Sequence, residues 1–596
     1  MRDSEAERLS PWWRRSVLAT ILVCFTILGV LARKTYTDAP PIPKVAVSGS
    51  GEIVYTGADV EAGQQVFLKY GLMENGTIWG HGAYLGPDFS AQYLHALALD
   101  AQKAVAGRHG YVEYATLAPQ EQSIVNAGVA RLLKQNRYDT KSGMLMLSEV
   151  ELASFHEQLG MWADYFRDPV LNGGLPRNFI SDPKEIRQLV AFFAWAAWAS
   201  AADRPGKTYS YTNNFPYDPA VGNWPTSGAI LWSALSLVML LGATAAVLVA
   251  FGRFDFLGWQ RAGEHVHPHM LRNVVTPSQQ ATIKFFCMVA LMFLAQALAG
   301  GGVEHYRAEP SSFCRLGLCW LFPSQILRTW HLQLAIFWIA TAYVAGGLFL
   351  ASAIGNAEPK RQELWVNVLF WGLLVIISGS LFGEWLGVHQ MMVGKVWMWF
   401  GDQGWEYLDL GRAWQSMLEI GLVLWLWLVW RAIRPALKDR ERGELSSLFL
   451  YAAITIPVFY LPAFFYRVDS NYAVVDFWRF WIIHLWVEGF LELFTTAAVA
   501  LIFYELGLVS RSTATRVIYL DALLYLGSGI VGTGHHWYFN GQSQITMALA
   551  AMFSAMEVCR SRCSRSKPGT SFSLPVVNAE SVARRSRCHT SGRFIS

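Results

Sequence analysis

The sequence predicts an all-α polytopic membrane protein with one large domain outside the membrane, and three observations carry that reading. Of the 596 residues, 53% are hydrophobic and only 15% are charged, against about 25% charged in an ordinary soluble domain; mean hydropathy is +0.26. Apolar runs of spanning length, about 20 residues, recur at 16–32, 228–251, 281–302, 327–353, 364–388, 414–431, 447–466, 477–504 and 516–538, and a shorter run follows at 543–558. Between the first and second runs lies a long stretch, 35–226, of ordinary polarity. The 26 tryptophans and 35 phenylalanines suit aromatic belts at two membrane interfaces. The net charge of +4 is scattered over loops, with no basic run interleaved with aromatics, so no nucleic-acid partner is expected.

Residues 1–34 read as an N-terminal anchor helix. The apolar run follows Arg14-Arg15 and lacks a small-x-small cleavage site, which favours a retained anchor with a cytoplasmic N-terminus over a removed signal. Residues 35–226 form an extracytoplasmic domain, mostly helical and loop-rich, with amphipathic stretches at 118–135 and 148–167. The segments Trp79-Gly80-His81-Gly82-Ala83-Tyr84 and Asn213-Asn214-Phe215-Pro216-Tyr217 read as ordered loops. Residues 227–558 form the membrane domain. Its loop 252–280 carries Arg253, Arg261, His265, His267, His269 and Arg272 and is placed in the cytoplasm by the positive-inside tendency, which puts loop 303–326 outside. From Cys559 to Ser596 the pattern breaks into a Ser- and Arg-rich tail without span or periodicity, which looks like a change of reading frame. The seven cysteines contain no CxxC pair and no CxxCH for covalent haem.

Ionisable groups at membrane depth cost several kcal/mol unless paired or ligated, so they are functional by default. His484, Glu488 and Glu492 fall at i, i+4 and i+8, on one helix face expected to point into the bundle. His535-His536 end the next apolar run behind Gly532-Thr533-Gly534, small residues that permit close helix approach. Three imidazoles and a carboxylate can enclose one first-row transition metal, and the carboxylate leans toward iron; a structural polar network is the alternative. His331, near the outer end of its helix, is either a haem axial ligand or an interfacial histidine beside an aromatic belt. His305 and Glu309, with Phe313, either hold a quinol head group and accept its protons or belong to a solvated interface loop.

Taken together, HLWVEG-x-x-E at His484 to Glu492 and G-T-x-H-H at Gly532 to His536 resemble the quinol-dependent nitric oxide reductases, single-chain members of the haem–copper oxidase superfamily. The resemblance runs from the anchor to about Val558. It implies a haem–copper-oxidase-like helix bundle behind a cytochrome-c-like soluble domain that has lost its haem c. It further implies that His484, His535 and His536 bind a non-haem iron with Glu488 as carboxylate ligand, and that Glu492 and Glu557 stand beside the centre in catalytic roles. By the same resemblance His331 ligates a low-spin haem b, and His305, Glu309 and Phe313 form the quinol site. Glu406, with Gly82 and Tyr84 reaching in from the soluble domain, would bind calcium. Oxygen-reducing relatives carry a tyrosine where this chain has Glu488, which argues for NO as substrate.

The family also carries a later His-x-His motif that ligates the high-spin haem b3 and completes the low-spin haem. After Val558 only His589 follows here, and His265-Val266-His267 lies in a polar loop. The expected activity is reduction of two NO to N₂O and water with quinol as donor, in a multi-pass protein of a bacterial-type inner membrane with its soluble domain on the outer face. The partners expected are lipid, quinol and NO; no separate cytochrome c partner is required, and a homodimer is left open. The tail makes activity of this chain doubtful, since the gene would be truncated or frame-shifted after about Val558. An oxygen-reducing quinol oxidase and a non-catalytic membrane protein from a disrupted gene are the alternatives.

Overall fold

The computed structural model describes residues 9–254, 275–312, 317–356, 358–439 and 442–565, apart from residue 112. Among these, nine helices are long and apolar enough to cross a membrane: Trp12–Asp38, Ser227–Ala250, Pro277–Ala308, Ser324–Gly355, Gln362–Val388, Arg412–Leu437, Gly443–Phe464, Tyr472–Glu505 and Arg511–Trp537. They follow the nine apolar runs, because a segment surrounded by hydrocarbon must satisfy its backbone internally and the helix is the local way to do so. Polar residues set the ends. Thr276 and Gln279 form a capping box ahead of Pro277, and Ser510 accepts from Thr513 N at the start of the last span.

Two spans are not uniform α-helix. In Tyr472–Glu505 the turns from Trp481 to Phe490 widen to a π-helix. In Arg511–Trp537 residues Tyr525–Gly529 are also π-helical, and Thr533–Trp537 tighten to 3₁₀. Wide turns of this kind concentrate at functional sites, and here they carry His484 and precede His535 and His536.

The domain between the first two spans has the helices Pro119–Lys134 and Glu149–Arg167, which follow the amphipathic stretches, and also Gly57–Lys69, Phe89–Arg108 and Pro183–Ala201. It also has a four-stranded sheet that the sequence did not predict, ordered Ile53–Thr56, Val45–Ser48, Met144–Leu147, Tyr138–Asp139. Strands of two to four residues carry too little alternation to register as a period-two pattern. Pro183–Ala201 is the domain's axis: Leu189 through Ala197 are all buried. Phe193 stacks on Phe89 with centroids 4.8 Å apart, and Trp79 Nε1 donates to Ala196 O at 3.1 Å.

This domain sits directly on the bundle. Asn213 Nδ2 donates to Tyr538 O at 2.7 Å, Phe215 stacks on Phe539 at 4.1 Å, and Asn471 Nδ2 donates to Pro40 O at 3.2 Å. The Asn213–Tyr217 loop is thus ordered because it holds the turn that follows His536. The anchor helix is part of the same body. Arg14 reaches Glu444 and Tyr519 at one end (3.0 Å each), Tyr36 accepts from Trp478 Nε1 at 2.9 Å at the other, and Leu28 between them is fully buried.

Candidate metal centre

His484 comes from the π-helical turn and His535 and His536 from the 3₁₀ turn of the next span. Their ligand nitrogens lie within 4.8 Å of one another. The rings are 5.2 Å (His484–His535), 5.0 Å (His484–His536) and 4.0 Å (His535–His536) apart between centroids. Metal–nitrogen bonds of about 2.1 Å set ligand nitrogens roughly 3–4 Å apart, so small side-chain rotations close this set on one ion.

Each imidazole is oriented by a second contact. His535 Nδ1 donates to Gly532 O at 2.6 Å. His484 Nδ1 pairs with Glu488 Oε2 at 2.5 Å. The His536 ring stacks on Phe480 at 4.5 Å with planes 11° apart, and its Nε2 is a buried nitrogen without a hydrogen-bond partner. Such contacts to one ring nitrogen fix the tautomer and aim the other at a metal. The donor set fits a transition metal that takes neutral imidazoles.

Spacing puts Glu488 on an inward face, and the family resemblance makes it a metal ligand. In the structure its side chain is 59% exposed, and its Oε2 meets His484 Nδ1 within the π-helical turn. Glu492, just past that turn, is half-buried. The side chain of Glu557 lies outside the described residues.

Two tight approaches hold the ligand helices together. A Cβ on Gly489 would meet the Tyr525 hydroxyl at 1.5 Å, and that hydroxyl donates to Leu485 O at 3.3 Å. A Cβ on Gly534 would meet Ala550 Cβ at 2.8 Å.

His331 lies against Gly300, where a Cβ would meet its ring at 2.7 Å, and its Nδ1 donates to Gln296 O at 2.9 Å. Its Nε2 lies 3.4 Å from the Gln296 side-chain amide, which would have to move aside for that nitrogen to ligate an iron. His305 and Glu309 are together at the outer end of their helix, Nε2 to Oε2 3.4 Å, and Ser312 Oγ donates to Glu309 at 3.1 Å. Phe313 lies outside the described residues, as do His265 and His267.

The calcium expectation meets a different arrangement. Glu406 Oε1 accepts from Arg328 at 2.7 Å and Oε2 from Arg479 at 3.0 Å, so two guanidiniums already compensate the carboxylate. Arg479 also binds Asp476 at 2.9 Å, whose other oxygen meets His81 Nδ1 at 2.7 Å. Tyr84 is 71% exposed and turns its hydroxyl back to Gly80 O, while Gly82 pairs with Thr77. A carboxylate engaged by two arginines is a poor fit for a hard cation, which needs converging oxygens.

Sequence reasoning missed this ion chain, His81–Asp476–Arg479–Glu406–Arg328. Its signal was available: Asp476 and Arg479 stand eight and five residues before His484 in an apolar segment. His81 also packs edge-on against Phe480 at 5.0 Å, so the soluble domain touches the ring that supports His536. Next to the chain, Glu74, Glu384, Asp402 and Asp409 are fully buried. Burial pushes Asp402 up to about 8, although Gly404 N donates to it, and pushes Glu74 and Asp409 up as well.

Comparison with known proteins agrees with this architecture. Residues 43–217 match the family described as the cytochrome c-like domain of the nitric oxide reductase protein NorB. Residues 280–562 match the family described as cytochrome c and quinol oxidase polypeptide I. The two matches, one in each domain, support a nitric oxide reductase of the haem–copper oxidase superfamily. It is 25% identical over 320 residues to the nitric oxide reductase protein NorB of Stutzerimonas stutzeri, an alignment covering 52% of this chain and 61% of that relative's length. The superfamily implies an oxidoreductase with haem and metal centres, and the imidazole trio is where this chain would hold its non-haem metal.

Proposed function

We propose that the chain is the catalytic component of a quinol-driven nitric oxide reductase. The observation that carries this is the convergence of His484, His535 and His536 with a carboxylate, not a phenol, four residues after the first ligand. Iron bound there would supply a Lewis-acidic position for a small diatomic ligand. The chain's own residues do the rest. Glu488, Gly532 O and Phe480 hold the three rings, so little reorganisation is needed when a ligand enters. Glu492, half-buried on the same span, would pass protons to the centre as a general acid. His331 would hold a low-spin haem b through Nε2. No residue of this chain is assigned to haem b3. His305 and Glu309 would take the protons released as quinol is oxidised at the outer end of the bundle. The docked soluble domain, the positive-inside placement of loop 252–280 and the nine spans support a multi-pass protein of a bacterial-type inner membrane, soluble domain outward.

Iron content and anaerobic NO consumption test this reading. His535→Ala should lose the non-haem iron, measured by metal analysis of the purified chain. Glu309→Gln, placed in an intact homologue, should raise the quinol KM or cut quinol-driven turnover while leaving artificial donors effective. Retained iron in His535→Ala sinks the metal assignment. Equal loss with both donors moves the Glu309 defect to the metal centre. Oxygen uptake in place of NO uptake would favour the oxidase alternative.

A further inference from the structure

A cleft of about 890 Å³ opens on the outer side of the bundle, away from the imidazole trio and from His305. One wall is the soluble-domain helix Gly57–Lys69. The others are the short helix Val396–Phe400 and the outer ends of the spans Arg412–Leu437 and Gly443–Phe464. Its height in the membrane is fixed by bonds between the two domains: Gln64 Nε2 donates to Ser470 O at 2.9 Å, Gln65 Nε2 to Val468 O, and Gln390 Nε2 to Lys69 O at 3.0 Å. This is the level where spans end and soluble domain begins.

The lining is two-sided. Trp397, Trp399, Phe464 and Met398 give an apolar wall. Beside it Val393, Val396, Trp399 and Phe400 are exposed at the bundle's edge, the composition of an interfacial belt. The opposite side is cationic. Lys69 is paired with Glu185 and Arg467 with Asp469. Arg412 donates to Ala463 O, Tyr466 O and Gln415 Oε1 and lies over the Tyr466 ring, with no carboxylate partner among the described residues, and Lys395 is exposed with no ion pair among them. Glu61 is the one lining carboxylate outside those pairs.

We propose that this cleft binds an anionic phospholipid of the surrounding leaflet, its phosphate at Lys395 in front of Arg412 and its first acyl carbons against Trp397, Trp399 and Phe464. A neutral quinol head would leave both cations uncompensated, and a zwitterionic lipid would compensate them only in part. The volume lies within the usual range for a bound small molecule, about 300–1,000 Å³.

Native mass spectrometry of the detergent-purified full chain, with phosphatidylglycerol and phosphatidylcholine of identical acyl chains, tests this. Phosphatidylglycerol should be retained in preference, by roughly fivefold for each cation engaged. Lys395→Glu should abolish the preference while leaving phosphatidylcholine retention unchanged, and Lys395→Arg should keep it. Glycerol 3-phosphate, which has the phosphate without the chains, should fail to compete. Equal retention of the two lipids by the unmodified chain, an unchanged preference in Lys395→Glu, or displacement by glycerol 3-phosphate would each overturn the proposal.

Discussion

Gly489 sets how near the His484 helix comes to its neighbour. With a Cβ there 1.5 Å from the Tyr525 hydroxyl, either the buried Tyr525 ring is displaced or the helices part. Overpacking of this kind costs about 1–3 kcal/mol. Gly489→Ala should therefore lower thermal stability and, by moving His484 away from His535 and His536, release bound iron. Full iron occupancy at unchanged melting temperature would show that the ligand geometry tolerates the displacement. Tyr525 belongs to the same contact, because its hydroxyl bonds a Leu485 carbonyl within the widened turn.

At the scale of elements, ligand positions depend on turns that are not α-helical. Three departures (π, π and 3₁₀) lie in the two ligand-bearing spans. The identity of the trio was legible in the sequence, because histidines in apolar runs stand out whatever the local pitch. The exposure of Glu488 was not legible, because spacing along one helix does not say which remote elements cover a given face. The ion chain from His81 to Arg328 joins a soluble-domain loop to two spans, and Glu406 is its centre. Removing one member of a buried pair leaves uncompensated charge and costs about 3–5 kcal/mol. Glu406→Gln should destabilise the chain by that order, measured by thermal unfolding, whereas a calcium chelator should leave the unmodified protein's melting temperature unchanged. A large chelator effect would restore the calcium reading of Glu406.

At the scale of the whole molecule, the junction between domains stores acid. Asp402 is held up to about 8 from an ordinary 3.8, chiefly by burial, with Glu74 and Asp409 raised alongside it. A carboxyl whose folded pKa is raised binds its proton more tightly folded than unfolded. Its contribution is therefore complete below the ordinary carboxylate range and is lost as pH rises toward about 8. The melting temperature should fall as pH rises through that window, and Asp402→Asn should flatten the fall. A profile rising over the same interval would contradict the burial of these groups.

By itself the sequence determined the helical membrane fold, the span positions and the three imidazoles, since each follows from the cost of exposing backbone or charge to hydrocarbon and that cost is local in the chain. Tertiary structure decided what depends on distant partners. It left Glu488 half-exposed against His484, turned Glu406 to two arginines, and seated Phe215 on Phe539. It also carried His81 across from the soluble domain to Asp476. A side chain's charge can be read from its letter, but what compensates that charge depends on which remote segment the fold brings within about 3 Å.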